Sequence, residues 1–150
     1  MRSIAFPGKF SSLDDIRDFY TEAAKEAELD KKSIYDVQLA VDEAASNIID
    51  HAYEGEGKGE IECSYQVSPG KLEVVMRDQG KAFNPKTVKR PNLKANLNNR
   101  KQGGLGLHFM RSLMDSVEFT FNGQGGNVLR MVKTNKEPEE QSEQPTERQE

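Results

Sequence analysis

Glu43, Asn47 and His51 recur at intervals of four in the stretch "DEAASNIIDHAY", which runs from Asp42 to Tyr53. Residues at i and i+4 are neighbours on a helix surface, so on a regular helix the three make a line one turn apart. The line drifts along the margin of an apolar face that carries Val41, Ala44, Ala45, Ile48 and Ile49. A carboxylate half enclosed at such a margin gains basicity from partial desolvation, and a carboxamide oxygen there can ligate a hard cation. Glu43 is thus a candidate base and Asn47 a candidate ligand in a metal-assisted reaction. Taken alone, the same spacing also describes the polar border of a buried helix, and an isolated histidine usually packs or caps.

Asp78 ends a run in which Val74 and Met76 share a face, and "DQGKAF" turns the chain straight after it. A carboxylate at a buried strand end accepts hydrogen bonds from an exocyclic amine, and Gly80 lets the backbone approach a flat ring closely. That combination suits adenine, although an Asp in this position can also simply form a turn. In "QGGLGLHF", Gly103, Gly104 and Gly106 precede or open a helix, where free N–H groups and the helix dipole favour phosphate. The 36 residues from Gln79 to Met114 contain no Asp or Glu but eight Lys and Arg. Such a segment attracts a polyanion. A nucleotide fits all three features, and a solvated basic loop with a glycine hinge accounts for the last two.

The elements that must hold these residues are legible as changes of period. Arg2 to Phe6 reads as a short edge strand stopped by Pro7-Gly8. Ser12 with Asp15 forms a capping pattern, and Leu13, Ile16, Phe19, Tyr20, Ala23 and Ala27 then recur at helical spacing. A second helix is predicted from about Ser33 to about Tyr53, ended by "EGEGKG". Ile61 to Val67 and Leu72 to Met76 alternate around Pro69-Gly70, as in an antiparallel hairpin. A long connection rich in Asn, Lys, Gly and Pro follows, and a loop of that length is usually functional. Leu107, Met110, Leu113 and Met114 restore a helix, and Val117 to Phe121 and Val128 to Val132 give a last strand pair. The order β-α-α-β-β-loop-α-β-β predicts an α+β fold, a two-layer sandwich with helices on one face of a mostly antiparallel sheet.

Composition narrows the rest. The chain of 150 residues suits one domain, predicted over residues 1–135. Residues 136–150, "KEPEEQSEQPTERQE", lack apolar side chains and hold six Glu against two cations, so a disordered acidic tail is predicted. The body before it then carries 19 basic and 19 acidic side chains, which makes the basic segment a strong local asymmetry. No apolar run approaches the ~20 residues that span a bilayer. Nor is there a signal-peptide pattern at the start. One Cys and two His leave no disulfide framework and no zinc cluster, and a cytoplasmic setting is expected.

The motifs Glu-x-x-x-Asn on a helix, Asp-x-Gly after a hairpin and Gly-Gly-x-Gly opening a helix occur here in one order. In this the chain resembles the histidine-kinase-like ATPase superfamily, the Bergerat ATP-binding fold. Within it, "AVDEAASNIIDHAY", "DQGKAFNP" and "GGLGLHFMRSLMD" resemble the stand-alone anti-sigma factor serine kinases, over roughly Ile4 to Lys133. The resemblance implies Glu43 as general base, Asn47 as magnesium ligand, Asp78 as acceptor of the adenine amine and Gly80 as the close-approach glycine. It also implies a lid from about Lys86 to Gln102. The nucleotide-contacting set is completed by Ala82, Lys101, Gly103, Gly104, Leu105, Gly106 and Leu107. Ala82 departs from the Asp-x-Gly-x-Gly pattern of the wider superfamily, as it does in many anti-sigma-type members.

The function so implied is an anti-sigma factor that binds ATP and Mg2+ and acts as a protein serine/threonine kinase. Its expected partners are a sigma factor, an anti-sigma factor antagonist with a STAS-type domain that is phosphorylated on Ser or Thr, and a second copy in a homodimer. Membrane and direct nucleic-acid partners are not expected, because only Phe83 and Phe109 accompany the basic segment as stacking residues. The alternative is a nucleotide-binding module that sequesters a protein without phosphorylating it. A sensor kinase is excluded by the lack of a phosphoacceptor hairpin around His51 or His108, and a P-loop by the lack of Gly-x-x-x-x-Gly-Lys-Ser/Thr.

Overall fold

The computed structural model describes residues 2–52, 59–80, 104–122 and 126–135, with the backbone alone for 51, 52, 104, 105, 121 and 122. Its elements follow the predicted order: β1 (Arg2–Pro7), α1 (Leu13–Glu26), α2 (Lys31–Asn47), β2 (Glu60–Ser68), β3 (Lys71–Asp78), α3 (Gly104–Leu113), β4 (Ser116–Asn122) and β5 (Gly126–Thr134). The strands form one sheet of five in the order β1-β2-β3-β5-β4, antiparallel at every pairing. The fold is α+β. The predicted tail, 136–150, and the whole of the predicted lid, 86–102, lie outside the described residues.

Period-2 patterning sends Ile61, Cys63, Leu72, Val74, Met76, Leu129 and Met131 into the core, where they meet the apolar stripes of all three helices. Tyr20 anchors α1 to the sheet. Its hydroxyl lies 2.8 Å from the Val75 carbonyl oxygen and 3.1 Å from that of Ser64, residues that face each other across β2 and β3. Burial of the phenol, together with the Cys63 thiol beside it, raises its pKa well above the ordinary value and keeps it a donor.

Helix starts depart from the sequence reading in two places. Ser12 makes no capping hydrogen bond, because Phe10–Ser12 is already a 3-10 turn and Ser12 itself has helical backbone angles. At α2 the cap is Asp30, whose Oδ1 accepts from the Ser33 N–H at 2.8 Å, so the helix begins at Lys31. The C-terminal half of that helix also differs from the expected regular coil. After Asn47 it winds as a π-helix through Ile48–Ala52. Bonds from i to i+5 widen the turn, so the backbone of His51 no longer continues the four-residue line of Glu43 and Asn47.

Candidate functional site

Glu43 and Asn47 occupy the last turns of α2, and their half-buried side chains meet the N-terminus of α3. Gly106 is the reason the two helices approach so closely. A Cβ at that position would overlap a Glu43 carboxylate oxygen, and would lie 3.0 Å from Glu43 Cδ and 3.1 Å from Asn47 Nδ2. The glycine therefore places a carboxylate, a carboxamide and the first turn of a helix at one corner. The first four N–H groups of a helix lack intrahelical partners and carry the positive end of the dipole, so this corner favours an anion. Gly104 and Leu105 belong to the same turn by their backbone.

Asp78 is the last residue of β3 and is 5% exposed. Its Oδ1 accepts from the Gly80 backbone N–H at 2.9 Å and from Asn127 Nδ2 at 2.8 Å. Burial raises the carboxyl pKa above the ordinary value, against the lowering effect of those two donors. Both donors hold one oxygen, which fixes the plane of the carboxylate. Gly126, with φ of +81°, begins β5 so close to the Asp78 carbonyl that no side chain fits. That contact seats Asn127 directly opposite Asp78 in the ladder.

Asn47, Asp78 and Asn127 line one cleft, whose apolar walls include Ala44, Ile48, Leu107, Met110 and Leu129. A flat apolar group with a polar edge fits such walls, with Asp78 and Asn47 as polar lining. Among the described residues, no group of three His, Cys, Asp or Glu is arranged to hold a metal ion. A cation here would take the Asn47 amide oxygen together with phosphate oxygens and water, which is how Mg2+ is usually held beside nucleotides.

Of the residues singled out in the sequence, the fold thus brings Glu43, Asn47 and Gly106 to one corner, and Asp78 and Leu107 to the adjoining cleft, with the Gly80 N–H bonded to Asp78. Ala82, Lys101 and Gly103 lie outside the described residues. Asn127 escaped the sequence reading. A usable signal existed, because Asn127, Leu129, Met131 and Lys133 alternate, and that parity turns a carboxamide toward the core side of β5.

Known proteins are similar to this chain in sequence and in fold. The family model described as the histidine kinase-like ATPase domain matches residues 6–133. Serine-protein kinase RsbW of Bacillus velezensis is 37% identical over 109 residues, covering 67% of this chain and 64% of that protein. RsbW of Listeria innocua is 34% identical over 110 residues, 71% of this chain and 69% of that protein. The chain spans about two thirds of the length of these relatives. A crystal structure of the RsbU and RsbW domains of a Mycobacterium tuberculosis protein shares the fold with a TM-score of 0.59 at 14% identity, over 89% of this chain and 32% of that one. With the family model spanning nearly the whole described fold, the chain belongs to the histidine kinase-like ATPase family, in the anti-sigma factor serine kinase branch where the RsbW relatives stand.

Proposed function

We propose that this chain is an ATP-dependent protein serine/threonine kinase and anti-sigma factor, acting in the cytoplasm. On this reading it binds a sigma factor and phosphorylates a Ser or Thr of a STAS-type antagonist, as a homodimer built on one ATPase domain over residues 1–135. The observation that carries the reading is the corner where Gly106 seats the N-terminus of α3 against Glu43 and Asn47.

Each residue has a task in that reaction. Asp78, buried and fixed by two donors, accepts from the adenine amine, while Leu107 and Met110 cover the ring and exclude water. The first turn of α3 offers its N–H groups to the triphosphate. Asn47 would hold Mg2+, which supplies charge neutralisation on the phosphates when bound. Glu43 orients the acceptor hydroxyl and takes its proton as the oxygen attacks the γ-phosphorus, whose bond to the β,γ-bridging oxygen breaks and releases ADP. Phosphoryl transfer needs little covalent participation by the protein, so positioning and electrostatics supply most of the rate.

The test is incubation of the purified chain with γ-labelled ATP, Mg2+ and the antagonist encoded nearest to it. Label on an antagonist Ser or Thr is the expected result. Tight nucleotide binding without any label on the antagonist would instead make the chain a sequestering module.

A further inference from the structure

Lys133 is a lysine where the strand pattern calls for an apolar residue. It is 4% exposed, and its Nζ donates to Asp36 Oδ2 at 2.9 Å and to the Leu113 carbonyl oxygen at 2.6 Å. Asp36, 6% exposed, accepts also from Lys32 at 3.1 Å. These contacts join three elements. Lys133 belongs to β5, Asp36 to the first half of α2, and Leu113 ends α3.

The last carbonyls of a helix have no intrahelical donor and carry the negative end of its dipole, so an ammonium there both bonds and complements it. Buried ion pairs add little stability compared with apolar residues of the same volume, yet they demand a defined geometry. Asp36 and Lys133 therefore act less as glue than as a gauge of where α3 ends relative to α2. The two helices run antiparallel, since Gly106 at the start of α3 meets Glu43 and Asn47 near the end of α2. One end of α3 is seated by the glycine and the other by the lysine.

We propose that the Asp36–Lys133 pair is a positioning device for the reaction corner: by holding the C-terminus of α3 on α2, it sets the distance of the Gly106 turn from Glu43 and Asn47. The assignment rests on the nucleotide-binding reading of that corner. Neither residue touches the site, and each acts through the rigid length of α3. Displacement of ~1 Å at a site costs on the order of 100-fold in rate, so a modest pivot has a large effect.

The test is the paired variant Asp36→Asn with Lys133→Met, which removes both charges at nearly unchanged volume and avoids the buried unpaired charge that either single change leaves. The control is Ile61→Val, a buried core change on β2 that a merely structural role would match. For the pair, KM for Mg-ATP should rise about tenfold or more, and amide exchange at Leu107–Met110 should quicken without nucleotide, while exchange in β2 and β3 stays at wild-type rates. Ile61→Val should change neither. Wild-type KM and wild-type exchange in α3 for the pair would overturn the proposal. Failure of the unmodified chain to bind Mg-ATP would remove the functional reading instead, and the exchange comparison alone would then decide whether the pair holds α3.

Discussion

Asn127 Nδ2 lies 2.8 Å from Asp78 Oδ1, a hydrogen bond between residues 49 positions apart that face each other across β3 and β5. With the Gly80 N–H on the same oxygen, it determines how a buried carboxylate meets a ligand. Asp78→Asn is expected to weaken ATP binding about 10-fold or more, from the ~1.5–3 kcal/mol of a hydrogen bond to a charged group. Asn127→Ala removes only an orienting donor and should weaken binding less. Calorimetry of both variants checks the order, and unchanged affinity in Asp78→Asn would take that residue out of the site.

Burial raises the Asp78 pKa, and the sign of its effect differs between binding and folding. The carboxylate is the form that accepts from an amine, so ATP affinity should fall as pH drops through the raised folded value, above the ordinary ~3.9 of an aspartate. Folding responds the other way. The charged form is penalised in the native state, and that penalty is relieved as pH falls through the same window. Asp36 behaves oppositely. Its burial pushes the carboxyl up, but Lys133 and Lys32 outweigh it, so the group is lowered and its stabilising contribution is lost only on acidification through that depressed value. Titration of ATP affinity against pH, with Asp78→Asn as the profile lacking the step, separates the two.

Gly106→Ala discriminates a catalytic corner from a packing contact. The added methyl would overlap only the far end of Glu43 and approach the Asn47 amide, so the fold can accommodate it by displacing those side chains. Alanine is favoured over glycine by ~1 kcal/mol inside a helix, which offsets the strain. Thermal stability should therefore change little, while phosphoryl transfer falls by ~10-fold or more because Glu43 is moved. A variant that is as active as the wild type would mean that the position of Glu43 at this corner is not used.

Glu43 and Asn47 should separate chemistry from binding. Glu43→Gln or Glu43→Ala is expected to keep ATP affinity and lower phosphorylation by ~10²-fold or more, since the base acts in the transition state. Asn47→Ala should also lose Mg2+-dependent affinity, because a metal ligand contributes in the ground state. Parallel calorimetry and label-transfer rates decide the matter. Wild-type transfer by Glu43→Ala would exclude it as the base.

Much of this molecule was readable from local pattern. The period changes near Glu60 and near Gly104 mark where helix gives way to strand and back, because a side chain's exposure repeats with the geometry of its own element. The spacing of Glu43 and Asn47, the Asp78-x-Gly80 turn and the glycines before α3 are local too, and all were visible. What the tertiary structure alone decided depends on residues distant in the chain. Ser12 leaves α1 uncapped because the chain before Leu13 is already coiled, and Asp30, whose backbone N–H is held by Asn135 Oδ1 105 residues away, caps α2. The π-turn after Asn47 takes His51 out of line, which no spacing rule announces. Asn127 and Lys133 are polar at core-facing positions, and the linear pattern does not name their partners. Asp78 lies 49 residues from the first and Asp36 97 from the second. Strand register and helix packing choose those partners, since a polar group driven inward by its parity must find a hydrogen bond wherever the fold brings one.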